Sequence, residues 1–111
     1  MKIGVVGSRS FTDSYKIQEI LAFFKPTEIV SGGALGADTL AKRYAELQGI
    51  RYKEFPAEWN RYGKRAGYLR NKEIVEYSDM IIAFWNGESP GTKLTINLAM
   101  DSKKSIFIVY Y

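Results

Sequence analysis

The sequence predicts an α/β fold in which helices cover both faces of one parallel sheet. Short runs of nearly continuous apolar residues alternate along the chain with longer segments of helical periodicity. Buried parallel strands have this apolar character, and a helix usually joins each strand to the next. The chain has 111 residues, which is enough for one such domain over residues 1–111. Since the crossovers are right-handed, we expect a Rossmann-like three-layer domain with five strands in the order 3-2-1-4-5.

The boundaries of the elements follow from apolar runs and from residues that start or end helices. The expected elements, in order, are strand 2–6, helix 13–24, strand 28–31, helix 37–48, strand 51–55, helix 65–77, strand 79–84, helix 92–102 and strand 105–109. Asp13 is a typical N-terminal cap for the first helix, and Pro26 lies just past its end. Gly49 follows the second helix where a positive φ is common. Residues 56–64 are expected to form a polar and aromatic loop.

The composition excludes several kinds of chemistry. The chain has no cysteine and no histidine, which excludes disulfides, thiolate nucleophiles and Ser-His-Asp catalysis. Zinc sites built on cysteine or histidine are excluded too, so we expect no metal site and no required cofactor, with Mg²⁺ entering only through ligand phosphates. No apolar run approaches the ~20 residues of a membrane span. We therefore expect no membrane association and a cytoplasmic location.

The positive charge is concentrated in one segment. The whole chain has a formal net charge of +4. Residues 51–72 contain seven basic and two acidic residues, whereas the rest of the chain contains nine basic and ten acidic residues. Aromatic residues are interleaved with the cations between Phe55 and Tyr68. This mix is typical of a single-stranded nucleic-acid surface, of a lid over a nucleotide pocket, or of aromatic packing into the core.

Three strand-to-helix turns are rich in glycine and hydroxyl residues. They are Gly7-Ser8-Arg9-Ser10, Ser31-Gly32-Gly33-Ala34-Leu35-Gly36-Ala37-Asp38 and Trp85-Asn86-Gly87-Glu88-Ser89-Pro90-Gly91-Thr92. Glycine lets the backbone approach a ligand closely, and the first N–H groups of a helix favour an anion. Because the carboxyl ends of parallel strands meet at one edge of the sheet, these turns predict a site for a phosphate-bearing ligand.

Several residues near these turns are candidates for binding or catalysis. The candidate ligand-binding residues are Gly7, Ser8, Arg9, Gly32, Gly33, Ala34, Gly36, Arg70, Asn71, Trp85, Ser89, Gly91 and Thr92. Arg9 offers bidentate hydrogen bonds to phosphate, and Trp85 either stacks on a base or packs under its turn. Asp38 either accepts N–H bonds from the glycine loop or acts as an acid or base. Glu88 is the other candidate catalytic carboxylate.

Five motifs occur in order along the chain: G-S-R-x-F, S-G-G-A-x-G-A-D-x-L-A, F-P-A-x-W, G-x-x-A-G-x-x-R-N and S-P-G-T. Together they resemble the YspA, cpYpsA-related branch of the SLOG superfamily, from Lys2 to about Val109. That superfamily includes DprA, the lonely-guy phosphoribohydrolases and nucleotide-sensing modules of bacterial and phage conflict systems. The resemblance implies a Rossmann-like domain with a nucleotide-derived ligand in the crevice. The phosphoribohydrolases carry a catalytic glutamate where this chain has Leu94, which argues against that activity here.

Three functions remain open on these observations. The first is a small module that senses or sequesters a nucleotide or nucleotide derivative. The second is an enzyme that hydrolyses an N-glycosidic bond, with Asp38 or Glu88 as the acid or base and Arg9 or Arg70 on phosphate. The third is single-stranded nucleic-acid binding through the cations of residues 51–72. The sequence leaves the oligomeric state open, including a homo-oligomer.

Overall fold

Five parallel strands form one sheet in the order β3-β2-β1-β4-β5 in the computed structural model, which describes residues 1–111. The strands are β1 (Lys2–Gly7), β2 (Glu28–Ser31), β3 (Arg51–Glu54), β4 (Met80–Trp85) and β5 (Ser105–Tyr110). The register pairs Gly4 with Val30 of β2 and with Ile81 of β4. Both the parallel pairing and the order 3-2-1-4-5 confirm the prediction from the sequence.

Helices lie between the strands as expected, with two local differences. The helices are α1 (Ser14–Phe24), α2 (Ala37–Gln48), α3 (Trp59–Tyr62), α4 (Ala66–Tyr77) and α5 (Pro90–Asp101). The segment expected to be a loop contains α3 and a 3₁₀ turn at Gly63–Arg65. In addition, α5 begins two residues earlier than expected, because Pro90 occupies the first turn, where its missing N–H costs nothing. None of the helices combines the length and the apolar character that a membrane-spanning segment requires.

The two faces of the sheet carry separate cores, since neighbouring strand residues point in opposite directions. One core contains Ile3, Val5, Ile29, Ile82 and Phe84 with the buried faces of α1 and α2. The other contains Val6, Val30, Ile81 and Ala83 with residues from α4 and α5. Continuous apolar strands are needed because both faces are covered. This three-layer packing leaves the loops after β1, β2 and β4 together at one sheet edge.

The predicted helix boundaries have the expected cap geometry. The Asp13 carboxylate accepts a hydrogen bond from the Lys16 N–H at 3.0 Å and so caps the N-terminus of α1. Gly49 ends α2 in the left-handed conformation, with φ of 68°. These local signals mark the start of α1 and the end of α2.

Candidate ligand-binding cleft

A cleft of about 580 Å³ opens at the carboxyl edge of the sheet. Its walls come from the β1–α1 loop, the start of α2, the aromatic segment around α3 and α4, and the start of α5. The lining residues are Val6, Gly7, Ser8, Arg9, Ser10, Ala34, Asp38, Trp59, Gly67, Tyr68, Arg70, Asn71, Asn86, Ser89, Pro90, Gly91, Thr92, Leu94 and Thr95. Its volume lies in the range of small-molecule sites in proteins, about 300–1,000 Å³.

The cleft brings together most, but not all, of the residues that the sequence singled out. Those that line it are Gly7, Ser8, Arg9, Ala34, Asp38, Arg70, Asn71, Ser89, Gly91 and Thr92. Those that do not are Gly32, Gly33, Gly36, Trp85 and Glu88. Three of the five residues outside the cleft are Gly32, Gly33 and Gly36 of the β2–α2 loop. These glycines lie against Arg70, Glu54 and the β1–α1 loop.

The Asp38 carboxylate is hydrogen-bonded to backbone amides of the glycine-rich loop, which the sequence analysis considered as donors to a phosphate. Its carboxylate oxygen Oδ2 accepts hydrogen bonds from the N–H groups of Gly32 at 3.1 Å and Ala34 at 3.2 Å. The side chain is only 6% exposed. Burial raises the pKa of Asp38 from 3.8 to about 6, although the two amide bonds and the Arg70 charge act to lower it. The glycine loop therefore holds a carboxylate of the protein itself, which is the first of the two roles considered for Asp38.

Gly33 and Gly36 lie close to neighbouring parts of the protein. A Cβ on Gly33 would lie 2.8 Å from the carboxylate of Glu54 on β3. A Cβ on Gly36 would lie 2.5 Å from the carbonyl oxygen of Ser8. Neither glycine lines the cleft, and the expectation that they bind a ligand stays a prediction.

Arg70 joins α4 to the glycine loop. Its guanidinium Nη1 donates a 2.7 Å hydrogen bond to the carbonyl oxygen of Gly32. The side chain lies so close to Gly32 that a Cβ there would be 2.0 Å from Nη1. The Nε of the same guanidinium is buried without a protein hydrogen-bond partner, and so are the hydroxyl oxygens of Ser8, which lines the cleft, and of Ser78, which does not. Since buried polar atoms are nearly always hydrogen-bonded, Ser8 and Arg70 are two places where the cleft has unused hydrogen-bonding capacity.

The start of α5 supplies the strongest anion-binding geometry of the cleft. Ser89 caps this helix without a side-chain hydrogen bond to its backbone. The N–H groups of Gly91 and Thr92 precede the first intrahelical bond, which runs from Lys93 to the Ser89 carbonyl at 3.1 Å. The Thr92 hydroxyl donates to the Ser89 hydroxyl at 3.3 Å, so both hydroxyls lie beside these amides. A helix start of this kind favours a phosphate or carboxylate.

Trp85 and Glu88 lie outside the cleft. The Trp85 indole Nε1 donates a 3.0 Å hydrogen bond to the carbonyl oxygen of Ser89, and its ring packs near Tyr110 with centroids 5.7 Å apart. Trp85 therefore packs under the turn, which is the second of the two alternatives considered for it. Glu88 is exposed on the β4–α5 loop and does not line the cleft. The catalytic role considered for it stays a prediction.

Aromatic residues of α3 and α4 form part of the cleft wall. Trp59 and Tyr68 line the cleft and are 52% and 41% exposed. Trp59 lies over Gly67, where a Cβ would be 3.4 Å from the indole ring. The neighbouring Arg61 guanidinium lies over the Tyr62 ring, 5.1 Å from its centroid. Exposed aromatic rings beside a polar cleft offer flat surfaces on which a base can stack.

Sequence reasoning missed Asn86 as a lining residue. The Asn86 side-chain oxygen accepts hydrogen bonds from the N–H groups of Glu88 at 2.9 Å and Ser89 at 2.8 Å, which fixes the loop that leads into α5. The Asn-Gly pair at Asn86 and Gly87 is a recognised turn signal and would have identified this role. Leu94 and Thr95 were also missed as lining residues. The rotation of α5 about its own axis decides which of its residues face the cleft, and the sequence does not give that rotation.

Two comparisons decide the family. The family described as "YspA, cpYpsA-related SLOG family" matches residues 1–62. The chain is also 35% identical over 105 residues to the Gene 61 protein of Mycobacterium phage D29, covering 83% of this chain and 82% of that protein. The chain belongs to the YspA, cpYpsA-related SLOG family. The resemblance carried by the five motifs is thereby confirmed.

Solved structures show the same fold in larger proteins. DNA processing protein A (DprA) from Streptococcus pneumoniae superposes with a TM-score of 0.82 at 21% identity over 96% of this chain. DprA from Helicobacter pylori, described for its unique single-stranded DNA binding mode, superposes with a TM-score of 0.65 at 21% identity over 97% of this chain. This chain spans 49% and 64% of those two chains. The SLOG domain here therefore has the Rossmann-like fold found in part of DprA.

Proposed function

We propose that this SLOG domain binds a nucleotide or nucleotide derivative in the cleft and acts as a sensing or sequestering module. The observation that carries the proposal is the grouping of polar groups without protein partners around one cleft. The free amides at the start of α5 and the exposed Arg9 line the same cleft as Ser8 and Arg70, whose Oγ and Nε atoms have no protein hydrogen-bond partner. Donors grouped around a helix start are suited to an anionic phosphate group.

The two ends of the cleft suit the two ends of a nucleotide. A phosphate at the start of α5 would share the cleft with Arg9 of the β1–α1 loop. A base extending towards α3 meets the exposed rings of Trp59 and Tyr68. Mg²⁺ enters this proposal only as a companion of the ligand phosphates, since no group of three or more acidic residues is placed to hold a metal ion.

Binding fits the cleft better than N-glycosidic hydrolysis. A hydrolase needs a carboxylate placed against the scissile bond. The Asp38 carboxylate is held by two backbone amides, and Glu88 lies outside the cleft. At the position where the phosphoribohydrolases carry their glutamate, Leu94 presents an apolar side chain to the cleft. The proposal is therefore a binding site rather than a catalytic one.

Arg9→Ala removes the guanidinium and is expected to weaken mononucleotide binding by about 10- to 100-fold. The physical reason is that a charge-assisted hydrogen bond contributes about 1.5–3 kcal/mol. Isothermal titration calorimetry with a panel of nucleoside monophosphates and ADP-ribose would measure this effect. Arg43→Ala is the matched control, since Arg43 is exposed on α2 and does not line the cleft. Equal losses in the two variants, or no binding of any panel member, would contradict a phosphate site at this position.

Single-stranded DNA is a second candidate ligand. It is favoured by the exposed segment beside the cleft, where Trp59, Arg61, Tyr62 and Lys64 all lie at the surface. Alternating rings and cations bind single strands by stacking and by attraction to the phosphate backbone. The DprA from Helicobacter pylori, which shares this fold, is described as a single-stranded DNA binder.

The combined variant Arg61→Ala and Lys64→Ala distinguishes the two ligands. If DNA binds along α3, the variant is expected to weaken oligothymidine binding by roughly tenfold or more and to reduce its salt dependence, because two phosphate contacts are lost. Mononucleotide binding at the start of α5 should remain unchanged. Fluorescence anisotropy at several salt concentrations would measure both effects. An unchanged oligothymidine affinity would remove this second candidate.

A further inference from the structure

The β5 edge of the sheet is open and carries no charge. β5 pairs only with β4, so its other side presents unpaired backbone N–H and C=O groups. Its six residues, Ser105–Tyr110, are all uncharged. The opposite edge is β3, in which Arg51, Lys53 and Glu54 place three charges among four residues. Charged side chains protect an edge strand from pairing, so only the β3 edge is protected in this way.

An apolar groove lies directly beside the β5 edge. It has a volume of about 320 Å³ and is lined by Glu19, Ile20, Phe23, Phe24 and Phe107. The ring of Phe24 on α1 packs edge-on against Phe107 of β5, with centroids 5.3 Å apart. Phe23 remains 78% exposed and Phe107 42% exposed. None of these residues lines the ligand cleft, so the groove is a separate feature of the molecule.

We propose that β5 pairs antiparallel with β5 of a second copy of this chain, which joins the two sheets into one of ten strands. The two-fold axis of such a pair is perpendicular to the sheet, so residues directly opposite each other lie on the same face. Pairing centred on Phe107 places the two Phe107 side chains opposite each other on the face covered by α1. Aromatic pairs across antiparallel strands stabilise sheets, and the exposed Phe23 rings flank this pair.

The distribution of charge favours a second copy in this antiparallel orientation. The exposed Lys103 precedes β5, and the aromatic residues Tyr110 and Tyr111 lie at its other end. Antiparallel pairing centred on Phe107 brings Lys103 of each copy towards Tyr111 of the other, where a cation attracts an aromatic face. A parallel pairing would instead place lysine against lysine. The edge is therefore complementary to its own copy.

The molar mass of the protein in solution tests the proposal. Sedimentation equilibrium at protein concentrations from about 5 µM to about 500 µM covers the dissociation constants expected of small interfaces. Over this range the molar mass of the wild-type protein is expected to rise towards that of the dimer. Phe107→Lys should raise the dissociation constant at least tenfold, since an edge lysine opposes strand pairing. Leu47→Lys is the control, because Leu47 is 73% exposed on α2, outside the groove and away from β5. A monomer mass for the wild-type protein at every concentration would overturn the proposal.

The absence of cysteine allows a second test that does not depend on the lysine variant folding. Side chains directly opposite each other in antiparallel strands have Cβ atoms about 4.5–5.5 Å apart, close enough for a disulfide after a small adjustment. Phe107→Cys is expected to form a disulfide-linked dimer under mild oxidation at micromolar concentration. Leu47→Cys should remain monomeric under the same conditions. Equal crosslinking of the two variants would contradict the predicted pairing.

Discussion

Gly36→Ala is expected to lower the free energy of unfolding by about 2–6 kcal/mol. Gly36 has φ of 83° and ψ of −130°, a combination that residues with a Cβ rarely adopt and that costs about 1–3 kcal/mol. The added Cβ would also lie 2.5 Å from the Ser8 carbonyl oxygen and 2.8 Å from that of Arg9. Backbone atoms cannot move aside by changing a rotamer, so overpacking adds about 1–3 kcal/mol.

Gly87→Ala is the matched control, because Gly87 has a similar φ of 84° but no atom within 4 Å of the position of its Cβ. This variant is expected to lose only about 1–2 kcal/mol, the cost of the left-handed conformation alone. Urea denaturation with unchanged m-values would give both differences. Equal losses would show that the contact between the β2–α2 and β1–α1 loops contributes little. A larger loss at Gly36 would show that this glycine positions the loop that carries Arg9.

The fold could be predicted almost completely because its signals are local. The strands are short apolar runs, and the helix ends carry their own caps at Asp13 and Gly49. The parallel order then follows from chain connectivity and the handedness of the crossovers. α3 was missed because a helix of four residues, Trp59–Tyr62, is too short to show a period, and its position depends on the contact of Trp59 with Gly67.

The site was predicted in outline, but the role of the glycine loop was not. The sequence places Gly32 next to the expected crevice, yet its carbonyl is bonded by Arg70, which is 38 residues further along the chain. Likewise, the space beside Gly33 is filled by Glu54 of the neighbouring strand. These contacts depend on tertiary packing and leave no periodic pattern in the sequence. A glycine-rich turn therefore indicates that something approaches closely, without indicating whether it is a ligand or the protein itself.

Asp38 is expected to make the domain less stable as the pH rises from about 4 to about 6. Burial raises the pKa of its carboxyl group in the folded state to about 6, compared with a value of 3.8 before folding. The folded state therefore binds this proton more tightly than the unfolded state. The stability that this adds is fully present below about pH 4 and is lost as the pH rises through about 6. A difference of this size corresponds to roughly 3 kcal/mol.

Asp38→Asn isolates this contribution, because asparagine keeps the shape and an acceptor oxygen for the Gly32 and Ala34 amides but does not ionise near these pH values. Urea denaturation of both proteins from pH 4 to pH 7.5 would give the difference in free energy of unfolding at each pH, with the other carboxylates cancelling. We expect the wild-type protein to lose stability relative to the variant as the pH rises, and the difference to level off above about pH 6.5. Asp101→Asn controls for the loss of one carboxylate, since Asp101 is exposed at the end of α5.

If the difference in free energy of unfolding between Asp38→Asn and the wild-type protein does not vary with pH, Asp38 titrates alike in the folded and unfolded chains. The glycine loop would then be open to solvent, and its amides would again be available to a phosphate.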